Sequence, residues 1–293
     1  MGRRIRGCLL VFAALTTGAV MPVAPHGQLI AQEPARQEPA RQDARSGARP
    51  DAGSDGRRVD HREWDAVVSR HVRQGQVDYD AVARDPAFSR YLSTLASTTV
   101  DGLDEDERLA FWLNAYNAWT VQLIIAHGER ESIRNINRTL GVLRLKGPWS
   151  EPIGKAAGRS WTLDEVEHRI LRKHFREPRI HFALVSAARG APSLRNEAYT
   201  GDRLNDQLDA QARDFLGDTT RNRFVNGVFW LSPIFTYYRS DFAATPAELG
   251  VYLAPFFPAG RELIQKGRFF IRQTRFDWSL NGIRPAPPAI RSP

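Results

Sequence analysis

Two asparagines, a histidine and a serine carry the clearest chemical potential in this chain. Asn114 and Asn117 lie three apart in Phe111-Trp112-Leu113-Asn114-Ala115-Tyr116-Asn117-Ala118, so on a helix they share a face. Their amide donors would hold a substrate carbonyl or an oxyanion, or they would form a buried network that fixes the helix against its neighbours. His181, inside Arg179-Ile180-His181-Phe182-Ala183-Leu184, is either a general base or a satisfied core residue. Ser186 follows five residues later, and a serine nucleophile needs a base within hydrogen-bond reach. No Gly-x-Ser-x-Gly pattern surrounds it. Asp241 would orient His181 as the third member of a triad, or else cap a turn. Arg189 and Arg195 flank the Ser186 loop, where they would clamp a carboxylate or phosphate bidentately or lie solvated at the surface. Glu167 and His168 point about 100° apart on a helix, so they do not share one ion. Glu167 would bind a ligand or act as an acid or base, or else pair with an arginine such as Arg172 or Arg179. Tyr199, a further candidate ligand contact, closes the Ser186–Tyr199 loop, which is expected to be exposed.

The elements that position these groups follow from periodicity. Trp64, Val67, Val68 and Val72 mark a first helix, and Phe88, Tyr91, Leu92 and Leu95 a second after Pro86. Asp104 and Glu107 have the spacing of a capping box. The helix they open runs to a stop at Gly128 and is apolar on most sides, so it is expected to be buried. A hairpin is expected from near Trp149 to Trp161, and a second capping box, Thr162 with Glu165, starts the helix that carries Glu167. Arg179–Val185 reads as a central strand, apolar on both faces, with His181 buried. A helix over Arg203–Leu216, a strand over Val228–Leu231, a helix from Thr245-Pro246 capped by Glu248 and a strand over Phe269–Arg272 complete the pattern. The expected class is α+β: one helix-rich domain, residues 59–283, on a small and mostly antiparallel sheet.

The flanks read differently. Arg3, Arg4 and Arg6 precede an apolar run from Cys8 to Val20, the pattern of a secretory signal over residues 1–31. Residues 32–58 repeat Gln-Glu-Pro-Ala-Arg and hold no large apolar residue until Val59, as in a flexible spacer. Residues 284–293 read as a loose Pro-rich tail. The expected location is periplasmic or secreted. Cys8 is the one cysteine in 293 residues, which excludes an internal disulfide framework and a zinc site built on several thiolates. The chain has 41 basic and 33 acidic side chains, and all the basic ones except Lys146, Lys155, Lys173 and Lys266 are arginine. These arginines are scattered and form no basic stripe interleaved with aromatics, so no nucleic-acid partner is expected. After signal removal no run is apolar enough for a stable membrane span. Metal-ligand and phosphate-loop motifs are absent, and no cofactor or metal is expected.

The helix motif Phe111–Ala118 resembles the signature of the domain of unknown function 547 family. Leu163–Arg172, Arg179–Leu184, Glu197-Ala198-Tyr199-Thr200 and Asp277-Trp278-Ser279-Leu280-Asn281 continue the similarity in order. Members of that family often carry His-Phe-Ala-Leu-x-Cys, with a second Cys and a Pro five residues on. Here Ser186 and Ala191 occupy those places, before Pro192, so any thiol chemistry or disulfide the resemblance implies cannot occur in this chain. At the level of element order alone, the helix followed by a His-bearing strand is similar to papain-like and transglutaminase-like folds.

The function expected from these features is a binding module for a small acidic ligand or peptide, in a cleft between the Asn114 helix and the His181 strand. The alternative is a hydrolase-like enzyme that uses His181 with Asn114 and no thiol nucleophile.

Overall fold

The computed structural model describes residues 56–137 and 147–283. The expected signal, nearly all of the spacer and the Pro-rich tail lie outside the described residues. Helix α1 (Arg62–His71) buries Trp64, Val67 and Val68. It leads into a two-residue antiparallel hairpin, β1 (Val72–Arg73) and β2 (Gln76–Val77). Helix α2 (Tyr79–Arg84) is capped by Asp78, and α3 (Pro86–Ser97) by Asp85 with Pro86 at its first position. Trp64 stacks on Tyr91 to join α1 to α3.

Helix α4 (Glu105–Ala126) is the axis of the larger hydrophobic core. Asp104 caps it by accepting from the Glu107 amide at 2.8 Å. The reciprocal half of the expected capping box is replaced. Glu107 turns inward and accepts from the backbone N–H groups of Val59 (2.8 Å) and Gly201 (3.1 Å). The carboxylate thereby ties the start of the domain to a distant loop. Aromatic contacts of Trp112 with Phe111, Trp119 and Trp161 knit α4 to the hairpin β3 (Pro152–Ala156)–β4 (Arg159–Thr162).

The capping box Thr162–Glu165 is complete and starts α5 (Leu163–Glu165). The chain then widens into a π-helical turn, Val166–Leu171, and closes with α6 (Arg172–His174). Next comes a correction. Arg179–Val185 is not a strand; Ile180–Ala183 forms one helical turn, α7. Glu177 takes the Arg179 amide on its side chain at 2.9 Å, and the Pro178 carbonyl takes the His181 amide at 3.2 Å. The chain is therefore coiled before a strand can begin.

Helix α8 (Leu204–Gly217) packs against α7. The second core cluster gathers Phe182, Phe215, Phe229, Leu231, Phe235 and Phe242. Its sheet is mixed: β5 (Arg223–Val225) pairs antiparallel with β6 (Val228–Leu231), and β6 pairs parallel with β7 (Phe270–Gln273). Short helices α9 (Ile234–Tyr237), α10 (Arg239–Phe242), α11 (Pro246–Leu253, boxed by Thr245 and Glu248) and α12 (Arg261–Gln265) fill the crossover. The class is α+β, helix-rich, and among the described residues the strands are divided among three small sheets of two, two and three strands. Among the described residues no helix is long and apolar enough to cross a membrane.

Candidate functional site

Both asparagines of α4 act as substitutes for a neighbouring strand. The Asn117 amide donates to the Ala183 carbonyl and its oxygen accepts from the Val185 N–H, each at 3.0 Å. Asn114 does the same at Tyr199, donating to its carbonyl at 2.7 Å and accepting from its N–H at 2.9 Å. All these groups are buried, so each side chain satisfies two backbone groups that have no ladder. This is the geometry of the buried network: each amide gives one N–H and its oxygen to the fold.

His181 sits in a closed polar network. Its Nε2 lies 2.8 Å from Asp241 Oδ2. Asp241 is also gripped by Arg172, through Nε at 2.6 Å and Nη2 at 2.9 Å. The Arg172 guanidinium holds the Asp241 carboxyl down to about 2, helped by His181. An ionised carboxylate only accepts, so the shared proton is on His181 Nε2 and the Nδ1 lone pair is left free. Burial pushes the His181 pKa down to about 4 against the pull of Asp241, so the ring is neutral at pH 7. Tyr238 stacks on it, centroids 4.0 Å apart, and Arg172 lies over the other ring at 5.2 Å. The expected orienting role of Asp241 thus has its hydrogen bond.

Glu167 lies on the π-helical turn, a geometry often found at functional positions. It is buried, and the expected arginine pairing is corrected: Arg172 binds Asp241, and Arg179 binds Glu177 and Asp209. Glu167 Oε2 accepts from the Tyr116 hydroxyl at 3.4 Å, while Oε1 is buried without a hydrogen-bond partner. Burial raises its pKa; the Tyr238 hydroxyl, His168 and Arg172 oppose the rise.

The loop after α7 is not exposed as expected. Tyr199 is buried, with its hydroxyl unpartnered. Arg195 is turned inward onto Glu197, the Gln207 carbonyl and Gln211, so it is not available as a ligand clamp. Ser186 is half-buried and makes no hydrogen bond with His181. Arg189 clamps backbone, donating from Nε to the Leu280 carbonyl and from Nη2 to the Gly282 carbonyl, both at 3.3 Å.

Arg189 also lines a cavity of ≈ 140 Å³ that has three walls. One is the β1–β2 turn, where Gln74 (φ 49°) and Gly75 (φ 75°) are both left-handed. Gly75 is required there, because a Cβ would stand 2.5 Å from the Ser193 Cβ. The second wall is the Ala188–Ser193 loop. The third is an extended strap, Asp277–Ile283, laced to both: Asn281 N–H donates to the Ala187 carbonyl at 3.0 Å, Val77 N–H to the Asn281 carbonyl at 2.9 Å and Tyr79 hydroxyl to Asn281 Oδ1 at 2.5 Å. Arg221 enters from the loop after α8 and donates to the Arg189 carbonyl at 2.7 Å. The charged side chains lining the cavity are Arg189 and Arg221, and no acid lines it. Burial lowers the Arg221 pKa, and Asp218, 3.3 Å away, opposes this.

Residues 100–216 match the family described as protein of unknown function, DUF547. That stretch, 117 of the 293 residues, is similar to the DUF547 family. No curated protein and no solved structure matches the chain. The DUF547 stretch contains α4, the π-helical turn, α7, the Ser186–Pro192 loop and nearly all of α8. It stops short of Arg221, the strap and the β1–β2 turn, so this chain builds two of its cavity walls outside the matched residues. Ala191, where family members often carry the second cysteine, lines the cavity. Sequence reasoning missed Gln74, Gly75, Arg221 and Asn281 as a site. Asn281 stood in a quoted motif, and Gln-Gly between two apolar-ended runs is a turn signal. Nothing local marks Arg221. Among the described residues, no cluster of three or more His, Cys, Asp or Glu is placed to hold a metal ion.

Proposed function

We propose that this chain is an exported binding module for a small carboxylate ligand, held in the cavity between the β1–β2 turn, the Ala188–Ser193 loop and the Asp277–Ile283 strap. One observation carries the reading: Arg189 and Arg221 line the cavity, no acid lines it, and Arg189 forms no ion pair among the described residues, while Arg221 is paired with Asp218. A guanidinium pays a desolvation cost when half-buried, and a carboxylate entering beside it recovers that cost through charge-assisted hydrogen bonds. The Gln74, Gln76 and Asn281 side chains at the wall add neutral donors and acceptors. The size suits a short organic acid. Export is part of the proposal and rests on Arg3, Arg4 and Arg6 before the Cys8–Val20 run; N-terminal sequencing of protein recovered outside the cytoplasm tests it. For the ligand, thermal melting is followed with acetate, lactate, succinate and phosphate. A carboxylate that raises Tm in the parent chain and leaves Arg221→Gln unmoved supports the reading. If no carboxylate raises Tm, or Arg221→Gln responds as the parent does, the reading is wrong.

A second reading, a hydrolase-like enzyme, draws on the His181–Asp241 bond, which leaves Nδ1 as a base. It dispenses with Asn114, whose amide is bound to Tyr199. Ester hydrolysis that resists thiol reagents and disappears in His181→Gln would favour it; equal turnover by that variant would remove it.

A further inference from the structure

The three-stranded sheet presents one closed face and one open one. On the closed face Phe229 and Leu231 are fully buried, with Phe257 and Phe269 edge-on to Phe229. On the open face the register sets two rows across the strands: Val225–Val228–Phe270 and Arg223–Trp230–Arg272. Both guanidinium groups lie over the Trp230 ring, at 5.2 and 5.7 Å. Val225 is 47% exposed and Phe270 58% exposed. The three strands carry no acidic residue. Among the described residues, no carboxylate forms an ion pair with Arg223, Arg268 or Arg272.

The edge of this sheet is also open. Phe270 N–H donates to the Gly227 carbonyl at 2.9 Å and Thr274 N–H to the Leu231 carbonyl at 2.8 Å. By alternation, the backbone groups of Ile271 and Gln273 point away from β6. Among the described residues β7 pairs with β6 and with no other strand. An edge strand with exposed apolar side chains is a template for one more strand.

We infer that β7 is a docking edge for an extended acidic peptide, which adds as a fourth strand. Charge complementarity selects the partner: an acidic side chain meets Arg272, and an apolar one two residues away meets Phe270. Arg268 extends the positive rim. The inference is independent of the carboxylate cavity, which other residues line.

The test uses the full chain and a fluorescein-labelled octapeptide, Val-Thr-Glu-Thr repeated twice, which puts glutamate and valine two residues apart on one face, read by fluorescence anisotropy, with Val-Thr-Lys-Thr repeated twice as control. Saturable binding of the glutamate peptide alone is expected. Ile271→Pro removes one outward N–H and leaves the ladder to β6 intact; it is expected to weaken binding at least tenfold with little change in Tm. Arg272→Glu, at an exposed position, is expected to weaken the glutamate peptide at least tenfold and admit the lysine peptide. If the glutamate peptide fails to bind, the arginines only guard the edge against self-pairing and the inference is wrong. Binding that ignores both substitutions, or binding of phosphatidylglycerol vesicles in place of peptide, also overturns it.

Discussion

The His181 network and the Arg189–Arg221 cavity are both built from polar side chains at junctions between elements, and they differ in how charge is closed. Around His181 each charge has its opposite in reach: Arg172 holds Asp241, and Asp241 holds the imidazole. Tyr238 and Phe242 cover the ring. At the cavity the arginines donate to backbone carbonyls; Arg221 is also paired with Asp218 at 3.3 Å, whereas Arg189 forms no ion pair among the described residues and stands at a wall that no acid lines. A closed network fixes structure, whereas an open one with surplus charge is suited to a ligand. Glu167 is the exception inside the closed region, because Oε1 has no partner.

The comparison can be broken by removing what holds each region. Asn117→Ala leaves the Ala183 carbonyl and Val185 N–H unpaired in the core, at about 1–3 kcal/mol for each group, so urea unfolding is expected to show a loss of about 2–6 kcal/mol. Acid comes next. His181 folds with its pKa lowered to about 4 from 6.5, so below pH 6.5 the unfolded chain binds the extra proton. Stability is expected to fall by about 3 kcal/mol for this group as pH drops from 6.5 to 4. His61, buried against Tyr91 and also lowered to about 4, adds to the same limb. The depressed Asp241 contributes above its unfolded pKa, and that contribution is lost only as pH falls from about 4 toward 2. Equal urea midpoints at pH 7 and pH 4.5 would contradict the neutral, buried histidines. Gly75→Ala combines a left-handed backbone with contact against Ser193, and is expected to cost about 1–3 kcal/mol and to abolish the carboxylate response in thermal melts. Arg221→Gln removes one hydrogen bond to a carbonyl and the 3.3 Å ion pair with Asp218, so its cost is expected to be about 1–2 kcal/mol.

Much of the larger core was legible in the sequence because local signals agreed. Asp104 caps α4, and Gly128 adopts φ 57° just past its end. Thr162 with Glu165 and Thr245 with Glu248 form complete boxes where the spacing put them. β6 runs Val228–Leu231, as its apolar run and the following Ser-Pro indicated. The error at Arg179–Val185 has a physical cause. A run apolar on both faces fits a buried strand, but among the described residues no strand lies there to pair with it. Asn117 supplies the missing donor and acceptor from a helix 66 residues away in sequence. Such long-range substitution leaves no local trace. The cavity was illegible for the same reason: its walls come from the β1–β2 turn, the loop near Arg189 and the strap around Asn281, which only the tertiary fold brings together. Arg189 was singled out, but its partner Arg221 lay in a loop with no pattern.

The central claim is that the ligand site is the open cavity and not the closed histidine network. Isothermal titration of the best carboxylate from the melting screen into the parent chain, Arg221→Gln and His181→Gln tests it most directly. The account predicts binding to the parent and to His181→Gln with similar affinity, and at least tenfold weaker binding to Arg221→Gln, a change of about 1.4 kcal/mol. Undiminished binding to Arg221→Gln, or its loss in a folded His181→Gln, would contradict the account and return the site to the histidine.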